Sequence, residues 1–293
     1  MKGGHMANEK QRVLGLALDA LKMDDVIKMA RAAIATRRRL EIGVVNAAKL
    51  VQARRDPALR RALRDCDILV ADGQSIVWAS RLLDRGLPER VAGIDIFIRL
   101  LEVADEEGLK VYLLGARPDV LQRLLTIVSC RYPNLVVSGC HDGYFTSEES
   151  VKIAHDIQLS EADMLFLGMP TPAKEIFIST WGPSLDVPLL HGVGGSFDVV
   201  AGVTKRASRA WQRLGLEWLV RLCQEPRRLW RRYLVTNAKF ILMVAQELLA
   251  RMRPTGSHVV VRKRRTPDDP HARGAPAPGT TPQRTEDPRE KVS

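Results

Sequence analysis

KVYLLGARPDVLQRLLTIVSCRYPNLVVS (Lys110–Ser138) decides the fold class. KVYLLG (Lys110–Gly115) is a nearly unbroken apolar run of strand length. Pro118–Arg131 is helix-like, and LVVS (Leu135–Ser138) is again β-type. Strand, helix and strand in succession read as one βαβ unit, because two parallel strands need a crossover between them. The pattern extends both ways, from about residue 13 to 195. Further strands are expected at LEIGVV (Leu40–Val45), ILVA (Ile68–Ala71), MLFLG (Met164–Gly168) and PLLHGVG (Pro188–Gly194). Helices are expected at Asp24–Thr36, Pro57–Arg64, Ile94–Glu107 and Glu148–Leu159. Strands that are apolar throughout are buried on both faces, so the reading is an α/β fold: a Rossmann-like, mostly parallel sheet with helices on both sides.

After Gly202 strand signals stop, apart from a short VVVR stretch (Val259–Arg262). Residues 208–252 read as two or three helices rich in Arg, Trp and Leu, divided near Pro226. The expected organisation is a polar, unstructured stretch (1–11), an α/β core (12–204), a basic helical appendage (205–253) and a disordered tail (254–293). The tail is rich in Pro, Arg, Asp and Thr and holds too few large apolar residues to offset its ordering entropy. The net charge of +11 is concentrated in the appendage, where twelve Lys/Arg face three Glu between Lys205 and Arg253. Such a surplus points to an anionic partner. Cys66, Cys130, Cys140 and Cys223 show no metal or CxxC spacing and read as reduced core cysteines of a cytosolic protein. The polar N-terminus does not read as a signal peptide. Tyr233–Ala250, interrupted by Asn237, Lys239, Gln246 and Glu247, does not read as a spanning helix.

In a doubly wound sheet, ligands bind beyond the carboxyl ends of the strands. The residues there are Asn46-Ala47, Asp72-Gly73-Gln74-Ser75, Gly115-Ala116-Arg117, Gly168-Met169-Pro170-Thr171 and Gly192-Val193-Gly194-Gly195-Ser196. Small residues admit a ligand close to the backbone, and helix N-termini offer N–H donors to phosphate. Several such turns on one rim describe a nucleotide or diphosphate pocket. GVGGSF follows the last strand and lacks GxGxxG spacing, so a Rossmann dinucleotide site is a poor reading.

Eight blocks occur in an order that resembles the WecG/TagA/CpsF family of glycosyltransferases (family 26). They are VVNAAKLVQARRD (Val44–Asp56), DILVADGQSIVWASRLL (Asp67–Leu83), LPERVAGIDIF (Leu87–Phe97), VYLLGA (Val111–Ala116), DGYF (Asp142–Phe145), LFLGMPTPAKE (Leu165–Glu175), GVGGSFDVVAG (Gly192–Gly202) and LGLEWLVRLCQEPRRLWRRY (Leu214–Tyr233). The resemblance covers roughly residues 12–235. It implies an inverting transfer, needing no metal or cofactor, from a UDP-sugar to a sugar on a polyprenyl diphosphate. Related products are bacterial cell-surface polysaccharides, and the helical appendage is implied to complete the site at the membrane. The expected location is the cytoplasmic face of the cell membrane, peripherally bound; a homo-oligomer is compatible with the sequence.

Asp72 matches the family's catalytic Asp, the base that takes the acceptor hydroxyl proton; the plain alternative is a cap on the next helix. Asn46 is read equally as a substrate contact or a cap. Gln74 and Thr171 complete the substrate candidates on the rim. Val44 stands where the family often has Thr. Pro172 is read in the place of a Gln, leaving Thr171 or Lys174 to make that contact. Arg90, Gly93 and Asp95 suit either an ion pair with a cap or a ligand contact. Gly115, Gly168, Gly192, Gly194, Gly195 and Asp198 are assigned to the nucleotide, and Tyr144, beside Asp142 and Gly143, to stacking on the base, although a Tyr on a core edge is the commoner case in general. Arg221, Arg227, Arg228, Arg231 and Arg232 are singly most easily read as a solvated face, and as a group as neutralising diphosphate. Interleaved with Trp211, Trp218, Trp230 and Tyr233, they suit a helix lying on an anionic membrane. Two other readings compete: a non-enzymatic nucleotide- or nucleic-acid-binding protein, and an oxidoreductase. A Trp-rich, Lys-poor basic segment without a known nucleic-acid motif disfavours nucleic acid as the partner.

Overall fold

A computed structural model describes residues 9–252. The expectations for residues 1–8, for the 254–293 tail and for the VVVR stretch lie outside the described residues.

A short hairpin opens the fold, β1 (Lys10–Val13) and β2 (Leu16–Asp19). The remaining strands are β3 (Leu40–Val45), β4 (Ile68–Ala71), β5 (Lys110–Gly115), β6 (Val136–His141), β7 (Met164–Gly168) and β8 (Leu189–Gly192). They form one six-stranded sheet in the order β4-β3-β8-β7-β5-β6, with every pairing parallel. The expected strands coincide with these to within a few residues; the hairpin was not anticipated. It has a clear role at the sheet edge. Asp19 is buried, and its carboxylate accepts from the Leu69 N–H of edge strand β4 at 2.8 Å, filling a donor that an open edge leaves unpaired.

The helices are α1 (Met23–Ala35), α2 (Ala47–Ala53), α3 (Pro57–Asp65), α4 (Gln74–Leu82), α5 (Gly93–Glu107), α6 (Pro118–Arg131), α7 (Glu149–Leu159), α8 (Ala173–Trp181), α9 (Ser196–Val200), α10 (Arg209–Arg213), α11 (Glu217–Gln224) and α12 (Pro226–Met252). Alternation along each strand divides the core in two. In β7, Met164 and Phe166 join the cluster of α1, α5 and α6, while Leu165 and Leu167 join that of α7 and α8. On the first side Phe97 meets Phe166 edge-on at 4.8 Å and lies 5.5 Å from Phe197 of α9. On the second side, α2, α3 and α4 cover β3 and β4.

The expected cysteine placement is corrected: all four are free, but only Cys66 is buried, and Cys130, Cys140 and Cys223 are exposed. The first three lie where α3 ends, in the last turn of α6 and on edge strand β6, so core burial does not follow from residue type alone.

The C-terminal helices are not detached from the body. Phe240, Met243 and Val244 of α12 are buried in the same cluster as α2 and α4, at the i, i+3, i+4 spacing of one helix face. Another stripe of the helix, Leu234, Ile241, Leu242 and Leu249, is exposed. Leu229–Arg251 is long and apolar enough to cross a membrane by length and composition, with mean hydropathy 1.2, although the shorter Tyr233–Ala250 window read otherwise. Its contact with α2 and its buried face tie it to the α/β body.

Candidate active site

The strand order reverses between the early strands β3 and β4 and the later strands, and the carboxyl ends open there into a cleft of about 850 Å³. Loops after all six strands line it, and α11 and α12 close it with Glu217, Trp218, Arg221, Leu229 and Tyr233.

Asp72 follows β4 directly. It does not cap α4, whose N-cap is Gly73; instead its Oδ1 accepts from the Gly93 N–H at 2.9 Å. One carboxylate oxygen is therefore held by the first turn of α5, and the residue faces the cleft. Asn46 does cap α2, accepting from the Lys49 N–H at 3.0 Å, and it lines the cleft as well. Beneath them lies His191 on β8, fully buried, with Nδ1 2.9 Å from the Ile42 carbonyl and Nε2 3.2 Å from the Gly93 carbonyl. Burial outweighs both carbonyls and holds its pKa below the ordinary value; the neutral ring carries one N–H, which donates to one of the two carbonyls according to the tautomer. Val44 sits against Gly93, where a Cβ would meet its Cγ2 at 3.2 Å.

A buried ionic cluster forms part of the floor. Lys49 Nζ donates to the Val44 carbonyl at 2.6 Å and pairs with Glu175 at 2.9 Å. Lys174 pairs with the same carboxylate at 3.0 Å and donates to Thr171 Oγ1 at 2.6 Å. Burial pushes the Glu175 carboxyl up, but the two lysines outweigh it and hold it below the usual carboxylate range. Burial, reinforced by Lys49, pulls the Lys174 ammonium down to about 8. Thr171 and Lys174 line the cleft, whereas Pro172 caps α8 and does not.

The glycine turn after β8 passes between two cations. A Cβ at Gly192 would lie 2.9 Å from Lys174 Cδ, and one at Gly195 would lie 3.1 Å from an Arg221 guanidinium nitrogen. Gly194 between them adopts φ +55°. Among the described residues, no group of three His, Cys, Asp or Glu side chains is placed to hold a metal ion.

The model of the WecG/TagA/CpsF glycosyl transferase family matches residues 11–254, from the hairpin through α12. The chain belongs to this family.

For this WecG/TagA/CpsF glycosyltransferase, the cleft brings together Asp72, Asn46, Gln74, Thr171, Tyr144, Gly168, Gly192, Gly194, Gly195, Asp198 and Arg221. Other candidates lie elsewhere. Arg90 is mostly buried and pairs with Glu217 at 2.6 Å and with Asp95 at 3.7 Å, while Asp95 also accepts from Arg206 at 2.7 Å. This network links α5 to α11 and the segment before α10, so the ion-pair reading of Arg90 and Asp95 describes their geometry. Asp95 does not cap α5, whose N-cap is Ala92. Gly115 lies beneath the rim at φ +132°; a Cβ there would come within 2.5 Å of the Gly168 backbone. Arg227 is exposed and does not line the cleft, and Arg231 lies over the Trp230 ring at 5.4 Å. The side chains of Arg228 and Arg232 lie outside those described. Lys49, Arg206, Glu217 and His191 were not singled out in the sequence. Lys49 is buried inside an unremarkable helix pattern, and the others depend on contacts across more than ninety positions.

Proposed function

We propose that this glycosyltransferase transfers a sugar, with inversion, from a UDP-sugar to a sugar on a polyprenyl diphosphate during bacterial cell-surface polysaccharide synthesis. Asp72 carries the reading: a carboxylate at the carboxyl end of β4, open to the cleft, with one oxygen fixed by the Gly93 N–H. Its other oxygen takes the acceptor hydroxyl proton as that hydroxyl oxygen bonds to the anomeric carbon. The bond from that carbon to the diphosphate oxygen breaks, and UDP leaves with the electron pair. Cations beside the glycine turn offset the charge that develops on the diphosphate, the role a metal ion fills elsewhere. The exposed apolar stripe of α12, with Trp230 and Arg231 near its start, suits a surface contact at the cytoplasmic face of the membrane.

The test is incubation of the protein with a panel of UDP-sugars and a short-chain polyprenyl-diphosphate sugar, followed by mass analysis of the lipid. A mass gain of one sugar from one donor, with release of UDP, is expected. Failure with every UDP-sugar alongside transfer from another nucleotide-sugar would overturn the donor assignment.

A further inference from the structure

The cluster of Lys49, Glu175, Lys174 and Thr171 takes no part in the proton transfer, yet it is among the most buried charged groups described. Both ammonium groups are paired with the same oxygen, Glu175 Oε1, while Oε2 has no hydrogen-bond partner. Two cations on one carboxylate leave one positive charge in surplus, at side chains only 6–8% exposed. Asp72 offsets it at longer range. A surplus charge held this far from water is costly unless something anionic meets it. Lys49 also lines the cleft, but its ammonium spends a hydrogen bond on the Val44 carbonyl. Lys174 is the one beside the glycine turn: its stem runs under Gly192, and its Nζ lies 3.8 Å from where a Cβ on Gly194 would be. Across the same turn stands Arg221.

We propose that Lys174 binds the diphosphate of the donor nucleotide from the sheet side of the Gly192–Gly195 turn, opposite Arg221. The assignment rests on the nucleotide-sugar reading above. It gives the ammonium the counter-charge that Glu175 shares with Lys49, and it places phosphate oxygens where the glycines leave room for them. An ammonium donor to phosphate is a charge-assisted hydrogen bond, and its loss weakens binding about tenfold or more.

Calorimetric titration of UDP and of uridine into wild type, Lys174→Met and Lys174→Arg tests the assignment. Lys174→Met removes the surplus charge without breaking the Lys49–Glu175 pair, so the variant retains a paired cluster; circular dichroism checks its fold. The expected result is UDP affinity at least about tenfold lower in Lys174→Met, uridine affinity unchanged, and most UDP affinity restored in Lys174→Arg. In wild type, UDP affinity should fall as pH rises through about 8, where the ammonium loses its proton. Lys49, Glu175, Asp72 and Arg221 are the charged groups around it, and Lys174→Arg should remove that fall. UDP binding equal to wild type in Lys174→Met would overturn the assignment, as would equal losses for UDP and uridine. A wild type that binds no UDP would instead sink the nucleotide reading, and this assignment with it.

Discussion

The Gly93 N–H donates to Asp72 Oδ1 at 2.9 Å, joining the loop after β4 to the first turn of α5. Behind it, the Gly93 carbonyl is 3.2 Å from His191 Nε2. The carboxylate is thus oriented by a backbone amide that is itself backed by a buried ring on the central strand β8. Orientation of this kind fixes which oxygen remains for the acceptor.

Replacing Asp72 by Asn separates orientation from basicity. The amide oxygen can still accept from Gly93, so the melting temperature and UDP affinity should stay close to wild type. Transfer should fall by about 10²–10⁴, the usual contribution of a positioned base. Near-normal turnover in a single-turnover assay would remove Asp72 from the role.

Glu175→Gln leaves Lys49 and Lys174 without their shared carboxylate. Breaking a buried pair by removing one partner costs about 3–5 kcal/mol. Urea denaturation should show a loss of that order. Adding Lys49→Met should recover part of it, because contacting groups do not contribute additively. A loss within about 0.5 kcal/mol, the size of an ordinary surface substitution, would mean that the cluster is solvated in solution.

Lys174 also makes stability depend on pH. Its folded value, about 8, lies below the ordinary 10.5, so between these limits the unfolded chain binds more protons and stability rises with pH. Below about pH 8 both states are protonated and the term is flat. Cys66 opposes the trend, because burial raises its thiol pKa and stability is lost above the ordinary thiol value of 9.0. The informative quantity is therefore wild type minus Lys174→Met. That difference should shift in favour of wild type from about pH 8 to 10.5 in denaturant titrations, and a flat difference would contradict the burial of the ammonium.

The two faces of α12 should respond differently. Phe240→Ala opens a cavity against α2 and should cost about 3–5 kcal/mol. Ile241→Asp with Leu242→Asp, both exposed, should leave the melting temperature nearly unchanged and reduce sedimentation with anionic vesicles. Unaltered vesicle binding would assign the surface contact to another part of the chain. A chain ending at residue 225 should lose stability as well as turnover, because the body loses the residues that cover α2.

Most of the sheet was legible because its inner strands are largely apolar on both faces, as MLFLG shows, and such runs have few alternatives in a sequence of this length. The β1–β2 hairpin was not: KQRV and LALD are four-residue edge segments, and their reason for existing is Asp19 meeting Leu69 fifty positions later. The rim was legible as turns after strands, which is why Asp72, Asn46 and the Gly192–Gly195 turn were found. The roles of Arg90 and Asp95 were left open because their partners, Glu217 and Arg206, lie more than a hundred positions away. Charge counting located the cations in the appendage. It gave no sign that Lys49 and Lys174, outside that segment, would be the buried ones.

Leu229, Tyr233 and Asn237 of α12 line the cleft, while Ile241, Leu242 and Leu249, further along the same helix, face outward. With the helix lying on a bilayer as proposed, one rigid rod is both a wall of the reaction chamber and the keel that rests on the lipid. The cleft is then held at a fixed height and tilt, and a lipid-borne acceptor reaches it by sliding within the leaflet. Encounters become a search in two dimensions: diluting the acceptor with inert lipid should slow turnover, whereas diluting the vesicles at constant lipid composition should slow bound enzyme far less.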